Sequence, residues 1–324
     1  MKVSIIIAVY RAEKYIEKCL QSVAAQSYDG DIECLVVDDR GGDRSIEIAN
    51  QFIESYKGRF EFRIISHERN LGASASRNTG IDNATGEYIY FLDNDDYIDI
   101  DCIKKLTEPL KGKKYDFIQG NFKVVGGKTG VQPLQLKTGE YLDRDFIILG
   151  YTQGFWPLTL WNKLLNLDFV KRNNLYFEKI IAEDNVWSLN LACCANNMYA
   201  VNEITYTYYI REGSIMTSLA KDWQRAQDDH FCLLNFLVSK QNKSLHIRNY
   251  AIHYGNGMLL DALKHNCLGI SLYKRIKSIL NPTPFCDLFK GQSRFIDCFF
   301  DIHYDLPNFI GFHIKKLTLR VLSR

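Results

Sequence analysis

The sequence predicts an α/β fold: one Rossmann-like, mixed but mostly parallel sheet flanked by helices, followed by a helical C-terminal region. Three observations carry that expectation. Apolar, β-type runs alternate with helix-period segments through the first hundred residues, two of these runs end in clustered carboxylates, and the chain after Asp222 is largely helical in pattern. Alternation of this kind argues for parallel strands with helices on both faces. It divides the 324 residues into 1–220 and 221–324, with ample chain for a large core.

Residues 3–9 form an unbroken apolar run, the pattern of a strand buried on both faces. Residues 12–26 then have helical spacing, with Tyr15, Ile16, Cys19, Leu20 and Val23 on one side. Residues 32–37 are a second apolar run ending in Asp38-Asp39, and 43–56 a second helix offering Ile46, Ile48, Ala49, Phe52 and Ile53 for burial. Strand 60–65, helix 74–83 and strand 88–92 follow. From 111 to 153 the pattern loosens into short antiparallel strands and a helix near 141–149. Residues 183–195 read as a helix and 199–210 as aromatic β-structure.

Composition narrows the functional classes. With 46% hydrophobic and 24% charged residues and a net charge of +2, nothing supports a nucleic-acid partner. Nine cysteines without a C-x-x-C spacing point to reduced thiols and a cytoplasmic setting rather than a disulfide framework or zinc site. The opening apolar run is too short for a signal peptide and meets Arg11, Glu13 and Lys14 at once, and no stretch approaches membrane-spanning length.

Glu87-Tyr88-Ile89-Tyr90-Phe91-Leu92-Asp93-Asn94-Asp95-Asp96 is the most informative segment. A buried strand runs directly into three carboxylates, which repel one another and lose hydration unless a cation sits among them. Oxygen ligands in this arrangement suit Mg²⁺ or Mn²⁺, ions that also bind substrate phosphates. An isolated Asp-x-Asp also reads as a solvated turn. Here Asp38-Asp39 occupies the carboxyl end of another strand, the edge where open α/β sheets bind ligands. Ala8-Val9-Tyr10-Arg11 stands where a dinucleotide fold has G-x-G-x-x-G, and no G-x-x-x-x-G-K-[ST] occurs.

The order of motifs resembles the inverting family-2 glycosyltransferases, of the surface-polysaccharide type, whose fold is called GT-A. The matching strings are Val3 to Tyr10, Val36-Val37-Asp38-Asp39, Asn70-Leu71-Gly72-Ala73-Ser74-Ala75-Ser76-Arg77-Asn78, Gly86 to Asp96, Trp161-Asn162-Lys163, Glu183-Asp184 and Gly213-Ser214-Ile215. They span about two-thirds of the chain. The family usually has Asn where Arg11 stands, and Gly-Ser-x-Asp where Arg40-Gly41-Gly42-Asp43 follows the acidic pair.

The resemblance implies transfer of a sugar from a UDP-sugar to a hydroxyl of a glycan or lipid-linked acceptor, with Mn²⁺ or Mg²⁺ as cofactor. It implies that Asp93, Asp95 and Asp96 surround the metal, with Asp95 the leading ligand. It places Val9, Tyr10, Asp38, Asp39, Arg77, Asp93, Asn94 and Arg211 about the nucleotide-sugar. Asp39 would accept from the uracil imide N–H, Asp38 would brace the following turn, and Arg77 would pair with Asp93 or a phosphate. The acceptor's proton would go to Asp184, with Glu183 as the alternative, since adjacent helical residues point about 100° apart. Trp156 and Trp161 read either as a sugar-stacking platform or as core, and Lys163 as a phosphate contact.

Two other classes compete. A sugar-phosphate nucleotidyltransferase lacks support because its glycine-rich opening loop is missing. A non-catalytic nucleotide-sugar or glycan-binding module would be favoured by loss of the Asp-x-Asp or Glu-Asp pairs, and both are present. Residues 308–324 place Ile310, Ile314, Leu317 and Val321 at helical spacing among four basic residues, a pattern for peripheral contact with the inner membrane face or for packing on the protein's own helices.

Overall fold

The computed structural model describes residues 1–179, 183–211, 223–264 and 270–280. Gly213-Ser214-Ile215 and the basic amphipathic segment 308–324 lie outside the described residues. The chain forms two compact units, Met1–Ile215 and Met216–Arg324.

In the first unit, strand and helix alternate as β1 (Lys2–Val9), α1 (Ile16–Ala24), β2 (Asp31–Asp38), α2 (Ser45–Ser55), β3 (Glu61–Ser66), α3 (Ala73–Asn83) and β4 (Tyr88–Phe91). Then come β5 (Tyr97–Ile98), α4 (Cys102–Thr107), β6 (Phe117–Val125), β7 (Gly139–Tyr141), α5 (Arg144–Gln153), β8 (Lys163–Asn166), α6 (Leu167–Arg172), α7 (Glu183–Cys194) and β9 (Met198–Tyr209). Among the described residues nine strands make one sheet in the order β3-β2-β1-β4-β8-β6-β9-β5, with β7 also paired to β9. β3, β2, β1 and β4 are mutually parallel, β8 is antiparallel to β4 and β6, and β6 runs parallel to β9.

Burial explains why β1 and β2 lack alternation. Val3, Ile5, Ile6, Ile7 and Val9 are all buried, as are Ile32, Cys34, Leu35, Val36 and Val37, because helices cover both faces of these central strands. β3, at the edge, is only partly covered. α3 presses onto β1 at Gly80, where a Cβ would stand 2.3 Å from Ile6 Cγ2. Two shorter stretches escaped the periodicity. β8 has only four residues and opens on a buried lysine, and β5 has only two. α5 starts three residues later than expected, where the Asp143 side chain accepts from the Asp145 and Phe146 amides, and it stops at left-handed Gly154.

The second unit is helical where described: α8 (Trp223–Lys240), α9 (Leu245–Lys264) and α10 (Ile270–Leu280). They pack on one another, and Leu234, Leu237, Ile247, Leu259 and Ile276 are buried. Among the described residues the cysteines given a state are free thiols, and no helix is long and apolar enough to cross a membrane.

The tight approach at Gly80 gives a test. Ile6 is held in the core and cannot swing aside, so Gly80→Ala overpacks the α3–β1 contact and is expected to cost about 1–3 kcal/mol in urea unfolding. A loss under about 0.5 kcal/mol, the range of an ordinary surface substitution, would show that α3 stands further from the sheet.

Candidate active site

The carboxyl ends of β1, β2 and β4 meet along one edge, and the turns leaving β1 and β2 are both sharp. Arg11 and Arg40 have φ of 52° and 54°, left-handed values that arginine seldom adopts and asparagine tolerates. Both arginines replace residues better suited to that backbone in the family pattern. The Arg11 guanidinium lies 5.2 Å from the exposed Tyr10 ring, and its Nε donates to the Gly41 carbonyl at 3.2 Å. Asp38 braces its own turn, accepting from the Arg40 amide at 2.9 Å and pairing with Arg40 Nη1 at 3.2 Å. Val9 is buried and its carbonyl receives the Asp39 amide.

Asp39 is buried and its carboxylate is occupied. Oδ1 bonds His67 Nδ1 at 2.8 Å and accepts the Leu71 amide at 2.8 Å, while Oδ2 accepts from Asn70 Nδ2 and the Gly72 amide, each at 2.9 Å. Gly72, at φ 94°, supplies the turn that aims its amide back at the carboxylate. A uracil N–H reaching Asp39 therefore has to share an oxygen with one of these donors. Asn70-Leu71-Gly72 stood in the matched motif, but nothing in the sequence flagged His67.

The loop after β4 separates its carboxylates. Asp93 turns toward α3, where Arg77 Nη2 lies 3.3 Å from its Oδ1. Asn94 donates to the Ala8 carbonyl at 2.7 Å and ties the loop to β1. Asp95 pairs with Arg211 Nε at 3.0 Å. Asp96 is held more tightly than its two neighbours. It is buried, its Oδ2 accepts from the Tyr206 hydroxyl at 2.6 Å and its Oδ1 from the Tyr209 amide at 2.7 Å. Its carboxylate fastens β9 to the loop with both oxygens engaged, beside Asp95 in the lining of the same cleft. Burial, then the charge of Asp93, raises Asp95 to about 6, and burial with both neighbouring carboxylates raises Asp96 as well.

Arg77 joins this loop to the start of α7. Its Nη1 donates to Glu183 Oε1 at 2.5 Å while Nη2 reaches Asp93. Burial disfavours the guanidinium's charge, but Asp93, Asp184 and Glu183 outweigh that and hold it protonated. Glu183 is fully engaged, because the Ser74 hydroxyl also donates to it. Asp184 is half-buried and accepts no side-chain hydrogen bond from the described residues. Burial pushes it up to about 7, against the pull of Arg77, with Glu183 and Asp93 adding to the rise.

The residues expected at an acceptor platform lie in the core. Trp156 and Trp161 are 1% and 4% exposed, too little to offer a ring face to a sugar. Trp161 stacks on Tyr206 at 4.4 Å and on Tyr208 at 5.3 Å, and Trp156 donates to the Ile147 carbonyl. Lys163 is fully buried, donates to the Pro157 and Thr159 carbonyls, and is lowered by burial to about 7. Between Trp161 and Lys163, Asn162 accepts from the Tyr90 and Thr205 hydroxyls and donates to the Asn121 carbonyl, knitting β4, β6 and β9 together.

Asp93 and Asp95 offer hard oxygen donors whose mutual repulsion a divalent cation relieves, so this donor set fits Mg²⁺ or Mn²⁺. Among the described residues no group of three or more His, Cys, Asp or Glu side chains is arranged as a metal cage.

A half-parallel, half-mixed sheet with acidic residues at the ends of the two strands that flank β1, and a helix-borne carboxylate near them, is the GT-A architecture. The chain belongs to glycosyl transferase family 2, whose model matches residues 4–175. It is similar to the glycosyltransferase GlyA of Streptococcus pneumoniae, 27% identical over 238 residues that cover 70% of this chain and 33% of that protein. It is also similar to the uncharacterized glycosyltransferase EpsJ of Bacillus subtilis, 32% identical over 236 residues, 70% of this chain and 66% of that one. The chain thus spans a third of GlyA and 66% of EpsJ. Among solved structures, residues 1–349 of Staphylococcus aureus TarS in complex with UDP-GlcNAc share the fold, with a TM-score of 0.76 at 22% identity over 99% of this chain and 92% of that one.

Asp184 carries a stability cost with a definite sign. Its folded pKa, about 7, lies above the unfolded value of 3.8, so the folded state binds more protons between these values and loses stability as pH rises through them. Asp184→Asn is therefore expected to stabilise the metal-free protein at pH 8 by on the order of 1–3 kcal/mol after allowance for solvent screening. The gain should vanish near pH 4. Thermal or urea unfolding across this range decides it, and a variant less stable than the parent at pH 8 would contradict the assigned environment.

Proposed function

We propose that this chain is a metal-dependent, inverting glycosyltransferase that moves a sugar from a UDP-sugar to a hydroxyl of a glycan or lipid-linked acceptor in surface polysaccharide synthesis. The observation that carries the reading is Asp184: a half-buried carboxylate, raised to about 7 and free of hydrogen bonds from described side chains, beside an arginine bound to the Asp-x-Asp loop. The UDP-GlcNAc complex of TarS, which this chain matches in fold over nearly its whole length, supports a UDP-sugar donor.

In this reading the nucleotide lies along the ends of β1 and β2, where Tyr10, Arg11 and the Asp39-centred loop meet, and Asp39 shares an oxygen with the uracil imide. Asp93 and Asp95 hold a divalent ion, which when bound offsets the negative charge that gathers on the leaving diphosphate. Arg77 pairs with Asp93 and orients it, and holds Glu183 so that the next residue of α7 faces the acceptor. Asp184 removes the acceptor hydroxyl's proton as the oxygen attacks the anomeric carbon from the face opposite the leaving group. The choice between Asp184 and Glu183 follows from hydrogen bonding: Glu183 is already committed to Ser74 and Arg77.

Three measurements test this. Asp184→Asn keeps the shape but cannot take a proton, so turnover is expected to fall ~10²–10⁴-fold with UDP affinity nearly unchanged. The parent's kcat/KM should lose its activity as pH falls below about 7, in line with the raised carboxyl. If Glu183→Gln abolished turnover and Asp184→Asn did not, the base would be the other residue. In thermal-shift assays UDP should stabilise the protein more with Mn²⁺ than without, and Asp95→Ala should erase the difference. A larger shift with GDP or CMP would refute the uracil assignment.

A further inference from the structure

Arg211 occupies the carboxylate that a metal needs. Its Nε lies 3.0 Å from Asp95 Oδ2, and its guanidinium carbon lies 5.7 Å from the Tyr15 ring, which in turn lies 5.8 Å from the Tyr209 ring. The placement is built into the fold. Asp96 takes the Tyr209 amide and the Tyr206 hydroxyl, so the end of β9 is fastened one residue along the loop from Asp95, and Arg211 follows two residues after the fastening point. Side-chain exposures of 28% for Arg211 and 20% for Asp95 make this a half-shielded pair, not a fully solvated one. An arginine fork binds a phosphate as readily as a carboxylate.

We propose that Arg211 serves as a provisional counter-ion for Asp95 and surrenders it only when a nucleotide diphosphate offers the guanidinium another anion. This rests on the proposed reading of Asp95 as a metal ligand. Arg211 holds Asp95 Oδ2, so a divalent ion arriving alone meets one engaged oxygen and the repulsion of the guanidinium beside it, whereas one arriving with a diphosphate brings an anion that draws the guanidinium away. The species the chain binds best is then the metal–nucleotide complex. By linkage, whatever the nucleotide adds to metal affinity the metal adds to nucleotide affinity.

The neighbouring cations supply a control. An open cleft beside the pair is lined by Lys14, ahead of α1, and by Lys18 on α1, whose ammonium lies 3.6 Å from the Tyr97 ring, and neither lysine is in an ion pair among the described residues. They contribute positive field without holding Asp95.

The test is Mn²⁺ binding to the full chain, by calorimetry and by loss of the free-ion electron paramagnetic resonance signal, with no nucleotide and then with UDP. Arg211→Gln is expected to bind Mn²⁺ alone about three- to tenfold more tightly than the parent, the range of a half-shielded ion pair. The same variant is expected to bind UDP more weakly when Mn²⁺ is saturating. Tyr15→Leu, which removes the ring beneath the guanidinium but keeps its charge, should move Mn²⁺ affinity in the same direction by less. Equal Mn²⁺ affinity in parent and Arg211→Gln would overturn the proposal while leaving the metal site intact. So would an equal gain in Lys14→Gln, which would trace the effect to general charge. If neither parent nor variant bound Mn²⁺ with UDP present, the metal reading itself would fall, and the exchange with it.

Discussion

The arginine on α3 is the constraint that the candidate site depends on. Three carboxylates from two distant stretches of sequence, Asp93, Glu183 and Asp184, converge on Arg77, and without a cation they would repel one another in a partly desolvated space. The guanidinium's planar fork reaches both sides at once, bonding the acidic loop with one nitrogen and the start of α7 with the other. A lysine offers one point of charge and no fork. α3 is itself pinned where it must be. Gly80 lets it sit against Ile6, Asn78 exchanges two hydrogen bonds with the Phe177 backbone, and the Ser74 hydroxyl, bonded to Glu183, also lies 3.0 Å from the Glu178 carbonyl. The helix thus grips the chain just ahead of Asp184 as well as the residue that neutralises it.

Much of the fold was legible, and the physics says which part. β1, β2 and β4 are buried on both faces, so their sequences are continuous apolar runs with nothing else to suggest. The half of the sheet beyond β4 was harder. β8 has four residues, one of them a lysine whose ammonium is satisfied by main-chain carbonyls, and no hydrophobic periodicity announces a buried lysine. The parallel partnership of β6 with β9 joins residues some eighty positions apart across a bulge at Gly120 to Phe122, and local pattern carries no such information.

The site was legible in its elements and less so in its division of labour. Asp93, Glu183 and Asp184 converge on Arg77, while Asp38 and Asp39 stand at the carboxyl end of β2. What the motifs could not convey is which side chains face outward. The aromatic residues of the Trp161-Asn162-Lys163 region are conspicuous because they fill the space under the site, with Trp161 sandwiched against Tyr206 and Tyr208. Nor does a run of aspartates reveal that one of them is anchored by a tyrosine over a hundred residues away.

That anchored aspartate bears on how such chains diverge. Asp96 supports the strand end from which Arg211 projects, and it does so as an acceptor of two neutral donors, a role an amide oxygen fills only in part. A drift at position 96 would therefore leave the chemistry of the loop nominally complete while loosening the scaffold that aims a cation at its neighbour. Asp96 and Tyr206 thus work as one structural unit in this chain: a change at either is felt through the other, although neither has to touch a substrate for the loop to depend on them.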